Sequence, residues 1–146
     1  MFATFNKDIF PIVKVIMRRS PENADDFNNF LNEWTQLYNN KKDFSFIFYI
    51  EDVGIPHIKY LIQMTQYIRD LRKKEYQYLQ KSIILINNNH VKWLLDFIFT
   101  IQPPVADVYI INTTEYSFTI DSIDDISGKE EGVIYIKPDV PMLSIF

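Results

Sequence analysis

Apolar residues in this chain follow two spacings that alternate along the sequence. Short continuous apolar runs are typical of β-strands buried on both faces, whereas apolar residues at i, i+3, i+4 and i+7 are typical of one buried helix face. The pattern predicts strands at Ile12–Met17, Phe44–Ile50, 82–86 and Asp107–Asn112, with a helical segment between each pair. This order predicts an α/β domain with a single mixed sheet and helices packed on it.

The N-terminal part of the chain predicts a β-hairpin followed by a helix. Residues 3–5 form a short apolar run that can turn through 6–8 into a strand over 11–17. Ser20 and Asn23 then provide the side-chain oxygens of a helix N-cap. The apolar face of the helix that follows consists of Phe27, Phe30, Leu31, Trp34 and Leu37.

The second helix is predicted to run from Pro56 to about Leu79 and to have two apolar faces. Ile58, Leu61, Ile62, Thr65, Ile68 and Leu79 form one face, and Tyr60, Met64, Tyr67, Leu71 and Tyr78 form the other. A sheet contact needs only one face, and aromatic and Met side chains are enriched at protein interfaces. The second face is therefore predicted to bind a protein partner or another copy of the chain. Packing against a neighbouring helix of the same chain is the alternative.

The last third of the chain predicts one more helix and an extended tail. Asn87 to Asn89 offer caps for a helix that ends before Pro103. Ile123 and Ile126 mark a short helix, and Val133–Ile136 has the character of an edge strand. We therefore predict one domain over 1–126 and a tail over 127–146 that lies along another subunit's sheet edge or caps its own sheet.

Three segments carry a resemblance to a known superfamily. Residues 11–17 match a central strand, 46–54 match a strand that runs into a polar turn and a glycine, and 79–87 with Trp93, Leu94 and Leu95 match a strand followed by a helix. The pattern resembles the STAS, or SpoIIAA-like, superfamily of anti-sigma-factor antagonists, which is related in fold to lipid-binding CRAL-TRIO domains. The resemblance covers about 3–126 and implies a hairpin followed by helix and strand alternation.

The chain departs from both branches of that superfamily. Bacterial antagonists carry a phosphorylated serine in the turn before the second helix, but residues 53–58 here contain no hydroxyl group. CRAL-TRIO carriers use a larger chain with an added helical portion and a gate. The resemblance therefore implies protein binding more strongly than lipid binding, and it implies no phosphorylation switch.

Composition narrows the function classes. The chain has 146 residues, no cysteine and a net charge of −4, which predicts one domain, no disulfide or thiolate metal site, and no general affinity for nucleic acid. The start lacks a signal-peptide pattern, and no apolar run approaches the roughly 20 residues that span a bilayer. We expect an intracellular, soluble protein. Abundant Ile, Asn and Lys fit an AT-rich microbe or a large DNA virus, where the protein could be virion-associated.

Polar residues at the predicted carboxyl ends of the strands form a possible ligand crevice, because ligands of open α/β sheets bind there. Its members are Asp52, His57, Asn87, His90 and Asn112. Asp52 with the two histidines has the chemistry of a metal or acid–base site, but the same residue types are ordinary in turns and caps. Three glycines are too few for a nucleotide-binding loop. We expect no cofactor, no metal and no catalytic residue.

A basic run near the end of the second helix has two interpretations. Arg69, Arg72, Lys73 and Lys74 could hold RNA or anionic lipid, but a solvated helix face near the C-terminal dipole is the commoner arrangement. The sequence as a whole predicts a non-catalytic interaction or scaffolding module. A small-ligand or lipid-binding domain is the alternative, and an enzyme using His57 or His90 is a third hypothesis.

Overall fold

The elements of the fold follow the alternation of apolar patterns along the chain. The computed structural model describes residues 2–51, 53–54 and 56–138. The elements are strands β1 (Ala3–Ile9) and β2 (Ile12–Met17), helix α1 (Ala24–Asn39), β3 (Phe44–Ile50), α2 (Ile58–Arg72), β4 (Leu79–Ile86), α3 (Asn89–Ile101), β5 (Asp107–Asn112), a 3₁₀ turn (Ile120–Ser122) and β6 (Val133–Ile136). The predicted α/β class with a single mixed sheet is confirmed.

The strands lie in the sheet in the same order as in the sequence, from β1 to β6. β2 to β5 are parallel, and the two outer strands β1 and β6 pair antiparallel with their neighbours. Parallel strands are joined by right-handed crossovers, so a chain that always moves to the next position in one direction places every helix on the same face of the sheet. The main core forms on that face, where Phe46, Ile84 and Val108 of the sheet meet helix side chains such as Trp34 and Val91.

The opposite face of the sheet has no α-helix among the described residues and is covered by irregular chain instead. Ile47, Ile83 and Ile111 lie on this face and pack with Ile123 and Ile126, which belong to the connection between β5 and β6. The ammonium group of Lys81 donates a hydrogen bond of 3.1 Å to the carbonyl of Ile123. The predicted short helix around Ile123 is reduced to the 3₁₀ turn just before it, yet its two isoleucines are buried as core residues.

The N-terminal hairpin is confirmed, but its turn lies later than predicted. β1 continues to Ile9, and the chain reverses at Phe10 and Pro11 instead of within 6–8. Asn6 and Lys14 form a register pair, whereas the next pair is Ile9 with Ile12, so the strand contains an irregularity between them. The backbone N–H of Asp8 bonds to the side chain of Asn6 at 2.9 Å, which satisfies a donor that the shifted ladder leaves free.

The second helix is shorter than predicted. α2 ends at Arg72, and Leu79, which the helical spacing assigned to its apolar face, begins β4. The backbone N–H of Phe44 donates to the carbonyl of Tyr78 at 2.9 Å, and Leu79 forms a register pair with Phe44. Pairing with β3 therefore decides this boundary, because the sequence over 73–78 contains no glycine or proline to end a helix.

No helix among residues 2–51, 53–54 and 56–138 is long and apolar enough to cross a membrane.

The loop that leads into β6 is organised by the carboxylate of Glu130, and this gives a pH prediction. The backbone N–H and hydroxyl of Ser127 and the backbone N–H of Gly128 donate to it over 2.8 to 3.0 Å. These bonds, the Ser127 N–H first, lower the pKa of Glu130 from 4.5 to about 2. A depressed pKa contributes stability above the unfolded value, and this contribution is lost as the pH falls through the folded value. Glu130→Gln should therefore destabilise the protein more at pH 7 than at pH 3 in urea unfolding.

Glu131→Gln is the matched control for that experiment. Glu131 is exposed and makes no such bonds to the described part of the loop, so its substitution should have a small effect at either pH. An equal effect of Glu130→Gln at pH 7 and pH 3 would contradict the prediction.

Candidate ligand site

An apolar cavity of about 170 Å³ lies between the helix-bearing face of the sheet and the three helices. Its walls come from β2 to β5 and from all three helices, and no charged side chain lines it among the described residues. Lining residues that represent these elements are Met17, Phe48, Ile84, Trp34, Leu61 and Leu95. The cavity is a continuation of the main core in which side chains leave space unfilled.

The space follows from the sizes of the side chains on the two sides of the core. Large rings fill the α1 and β3 side, where Trp34 contacts Phe46 edge to face with 5.1 Å between ring centroids. The β4 and β5 side carries Leu79 and Ile84 but also the smaller residues Ser82, Val108 and, in the loop before β5, Ala106. Stiff rings cannot bend into the volume that small neighbours leave, so the middle of the core stays open.

Two residues that line the cavity carry a polar side-chain group without a hydrogen-bond partner among the described residues. The Trp34 side chain is buried, and its Nε1–H has no hydrogen-bond acceptor among the described residues. Ser82 is also buried, and its hydroxyl makes no hydrogen bond with the part of the chain that the structure describes. Both residues neighbour Phe46, because Trp34 packs on its ring and Ser82 is its register partner in β4. Tyr60 adds a hydroxyl group to the described lining residues, and the remaining lining side chains are apolar.

The aromatic second face of α2 lies inside the molecule. Tyr60 packs against Phe27 of α1 with 5.1 Å between centroids, and Tyr67 packs against Trp34 at 5.3 Å. Met64 and Leu71 of α2 also pack in the main core, and so does Tyr78, which lies in the loop before β4 and not on α2 as the sequence predicted. The face is therefore a helix–helix contact within the chain, not the exposed surface that the sequence predicted for a partner.

A partly buried hydroxyl pair joins the two helices at this contact. Thr35 and Tyr67 hydroxyl oxygens lie 2.9 Å apart, and Thr35 also donates to the carbonyl of Leu31. Burial raises the pKa of Tyr67 to about 12, and the bond to Thr35 offsets part of that rise. Tyr67 is therefore neutral at physiological pH and serves as a packing residue with a satisfied hydroxyl.

The predicted polar crevice is not assembled as one site among the described residues. His57 is the N-cap of α2, where its Nδ1 accepts from the backbone N–H of Lys59 at 3.1 Å. Asn87 and His90 are exposed, and the side-chain oxygen of Asn112 accepts two hydrogen bonds from Thr114. Asp52 lies outside the described residues. His57 therefore acts as a cap and Asn112 as a turn former, the roles that the second interpretation of the sequence gave to such residues.

A polar cleft of about 260 Å³ does exist beyond the ends of β4 and β5. Asn89, Lys92, Asn112 and Glu115 contribute its polar side chains, so Asn112 is the one described crevice residue that lines it. Lys92 also lies 3.8 Å from Asp96 on its own helix. Within the described ranges, no group of three His, Asp or Glu side chains could hold a metal ion.

Arg69 and Arg72 of the basic run form hydrogen bonds that join α2 to the residues after α3. Arg69 donates to the side chain of Gln102 at 3.2 Å, and Arg72 donates to the carbonyl of Pro104 at 2.8 Å. Lys73 lies 3.8 Å from Asp70, and both side chains are exposed. These contacts explain the two arginines as structural residues.

Sequence reasoning missed Trp34 and Ser82 as site residues. Trp34 sits at a regular position of the apolar face of α1, and Ser82 opens an apolar strand. The single hydroxyl in a run of aliphatic residues was a signal for Ser82, but neither position indicates that a cavity lies beside it.

No protein-family model, curated protein or solved structure matches this chain in the comparisons with known proteins.

The internal packing of the α2 face predicts the result of truncating two tyrosines. Tyr67→Ala removes a partly buried ring and the partner of Thr35, so it should lower the free energy of unfolding by about 2 kcal/mol. Tyr76→Ala removes a ring that is 57% exposed and contacts Tyr78 alone among the aromatic pairs described, so its cost should stay below about 1 kcal/mol. Urea unfolding of both variants measures the difference. Equal costs would show that Tyr67 is not held against α1.

Proposed function

We propose that the protein binds a small apolar molecule in the cavity beneath its helices. The observation that carries the proposal is an unfilled volume of about 170 Å³ lined by core side chains from the sheet and from all three helices. Empty volume in a core costs stability, roughly in proportion to its size, and a ligand that fills it recovers the lost contacts. Binding without reaction is the function this wall supports, since no acidic or basic side chain lines it among the described residues.

The volume sets the size of the ligand. Cavities of about 150 Å³ lined by aliphatic and aromatic side chains stay dry and bind benzene. The present cavity is of that order, so its ligand is a single ring or a short branched chain. A long acyl chain is larger than this volume, which makes lipid transport of the CRAL-TRIO kind the weaker form of this proposal.

A STAS-like fold is part of the same proposal. The hairpin followed by three helix and strand pairs agrees with the element order that the resemblance implies. The sequential strand order agrees with a domain in which each helix returns the chain to the next strand. The proposal concerns architecture, because the serine switch of the antagonists has no counterpart in residues 53–58.

A second candidate function is self-association or scaffolding through an exposed apolar patch on α2 and α3. Ile58 and Trp93 are each 58% exposed, and Ile62 is 48% exposed. Trp93 stacks on Phe97 with 5.9 Å between centroids, and Phe97 packs beside the Leu61 and Leu94 contact that joins the two helices. Exposed apolar patches mark interaction sites. A structural role in a virion is one form of this candidate and is supported by composition alone.

Ligand binding is tested with benzene and toluene by isothermal titration and by the rise in melting temperature. Leu95→Phe enlarges a partly buried cavity-lining side chain and should weaken toluene binding about tenfold or more, because the ring occupies the space. Ile62→Phe adds the same ring on an exposed position outside the cavity and should leave the affinity unchanged. Absence of binding by both probes up to their solubility would contradict the proposed function.

The second candidate is tested by the mass of the protein in solution. If the patch mediates self-association, light scattering should give a dimer or larger assembly, and Trp93→Gln with Ile62→Gln should reduce it to one chain because both substitutions remove exposed apolar surface. Lys59→Gln with Asn89→Gln, two changes of exposed residues near the same helix starts, serves as the control. A single-chain mass for the unmodified protein at micromolar concentration would eliminate self-association.

A further inference from the structure

We infer that the cavity selects a neutral ligand that carries an oxygen acceptor, such as a ketone, ester or ether, and that Trp34 and Ser82 recognise this oxygen. The inference depends on the proposed function, because it names the chemical class of the ligand that fills the same cavity. It is carried by Trp34 and Ser82, two polar side chains without a hydrogen-bond partner among the described residues; the hydroxyl of Tyr60 is the other polar side-chain group among the described lining residues.

Trp34 provides the first group. Its side chain is only 6% exposed, and its Nε1–H has no acceptor among the described residues although the indole lines the cavity. An indole nitrogen is a donor only, and a buried donor without a partner costs about 1 to 3 kcal/mol. A pure hydrocarbon ligand would leave this donor unpaired, whereas an oxygen acceptor would satisfy it.

Ser82 provides the second group. It is 4% exposed, lies on the cavity side of β4 and makes no side-chain hydrogen bond with the described residues. Its register partner is Phe46, and the ring of Phe46 is the one that Trp34 contacts edge to face. Both residues therefore adjoin Phe46 and line the same cavity, so one ligand of single-ring size could place its oxygen in their neighbourhood.

The wall also determines the charge of the ligand. The described lining residues include no Lys, Arg or His, so a carboxylate would be buried without a counter-charge. Burying an unpaired ionised group is far more costly than burying a neutral carbonyl that accepts a hydrogen bond. The ligand is consequently a neutral oxygen-containing molecule, and a fatty acid anion is excluded by the same argument.

A pair of probes with nearly the same shape separates recognition of oxygen from filling of the cavity. Acetophenone and α-methylstyrene differ by exchange of a carbonyl oxygen for a methylene group, and their affinities are measured by isothermal titration. We expect the ratio of the ketone affinity to the alkene affinity to fall about fivefold in Trp34→Phe, the effect of losing roughly one net hydrogen bond. Ser82→Ala should lower the same ratio, and Met64→Leu, a cavity-lining change without loss of a hydrogen-bonding group, should not.

A second measurement requires no change at Trp34. The chain has two tryptophans, so an amide-correlation spectrum of the Trp93→Phe variant contains one indole N–H signal, that of Trp34. Acetophenone should shift this signal downfield by hydrogen bonding, and α-methylstyrene should not produce that downfield shift. This measurement tests the recognition of oxygen by Trp34 even if Trp34→Phe fails to fold.

The outcomes distinguish failure of ligand binding from failure of the recognition of oxygen. If neither probe binds, the proposed function fails. If both probes bind but the affinity ratio is the same in Trp34→Phe and the unmodified protein, or the indole signal responds equally to both, the cavity binds ligands and the recognition of oxygen is overturned. If benzoate anion binds as tightly as acetophenone, the inference that the ligand must be neutral is overturned.

Discussion

The burial of both faces of four parallel strands is the constraint on which this structure depends. The strands follow their sequence order, so right-handed crossovers place α1, α2 and α3 on one face, and the other face must be covered by something else. The connection between β5 and β6 does this with Ile123 and Ile126, although it contains only one 3₁₀ turn. The carboxylate of Glu130 holds the end of this connection through two backbone N–H groups and a hydroxyl. An irregular segment thus completes the core.

The one-sided arrangement of helices also concentrates the aromatic residues. Phe46 in a central strand receives Trp34 from α1, and α2 brings Tyr67 to the same indole. Rings packed edge to face are rigid, and the cavity wall near them includes side chains as small as Ser82 in β4 and Ala106 in the loop before β5. The unfilled volume between them is the feature of the described structure that best supports a function. Its wall argues for a ligand that is apolar in most of its surface and polar at one point.

A protein partner would bind at the exposed apolar residues of α2 and α3 and not at the tyrosine face that the sequence predicted. The tyrosines that the sequence suggested for a partner already contact α1, so a partner could reach Tyr60 only by displacing that helix. The exposed large apolar side chains of α2 and α3 are Ile58, Ile62 and Trp93. An interaction role and a ligand-binding role would therefore use different parts of the molecule and can be tested separately.

The sequence by itself determined the class of the fold and most of its elements. Continuous apolar runs defined β3 and β5 to the residue, and cap residues such as Asn23 and Asn88 defined helix starts, because these signals are local. The end of α2 and the position of the hairpin turn were decided by pairing between strands, which depends on residues distant in sequence. The same holds for the site: a tyrosine face has one spacing whether it meets α1 or a partner, and a cavity exists only as the difference between side-chain volumes brought together from different elements. Only the tertiary structure therefore placed Trp34 and Ser82 beside an open space.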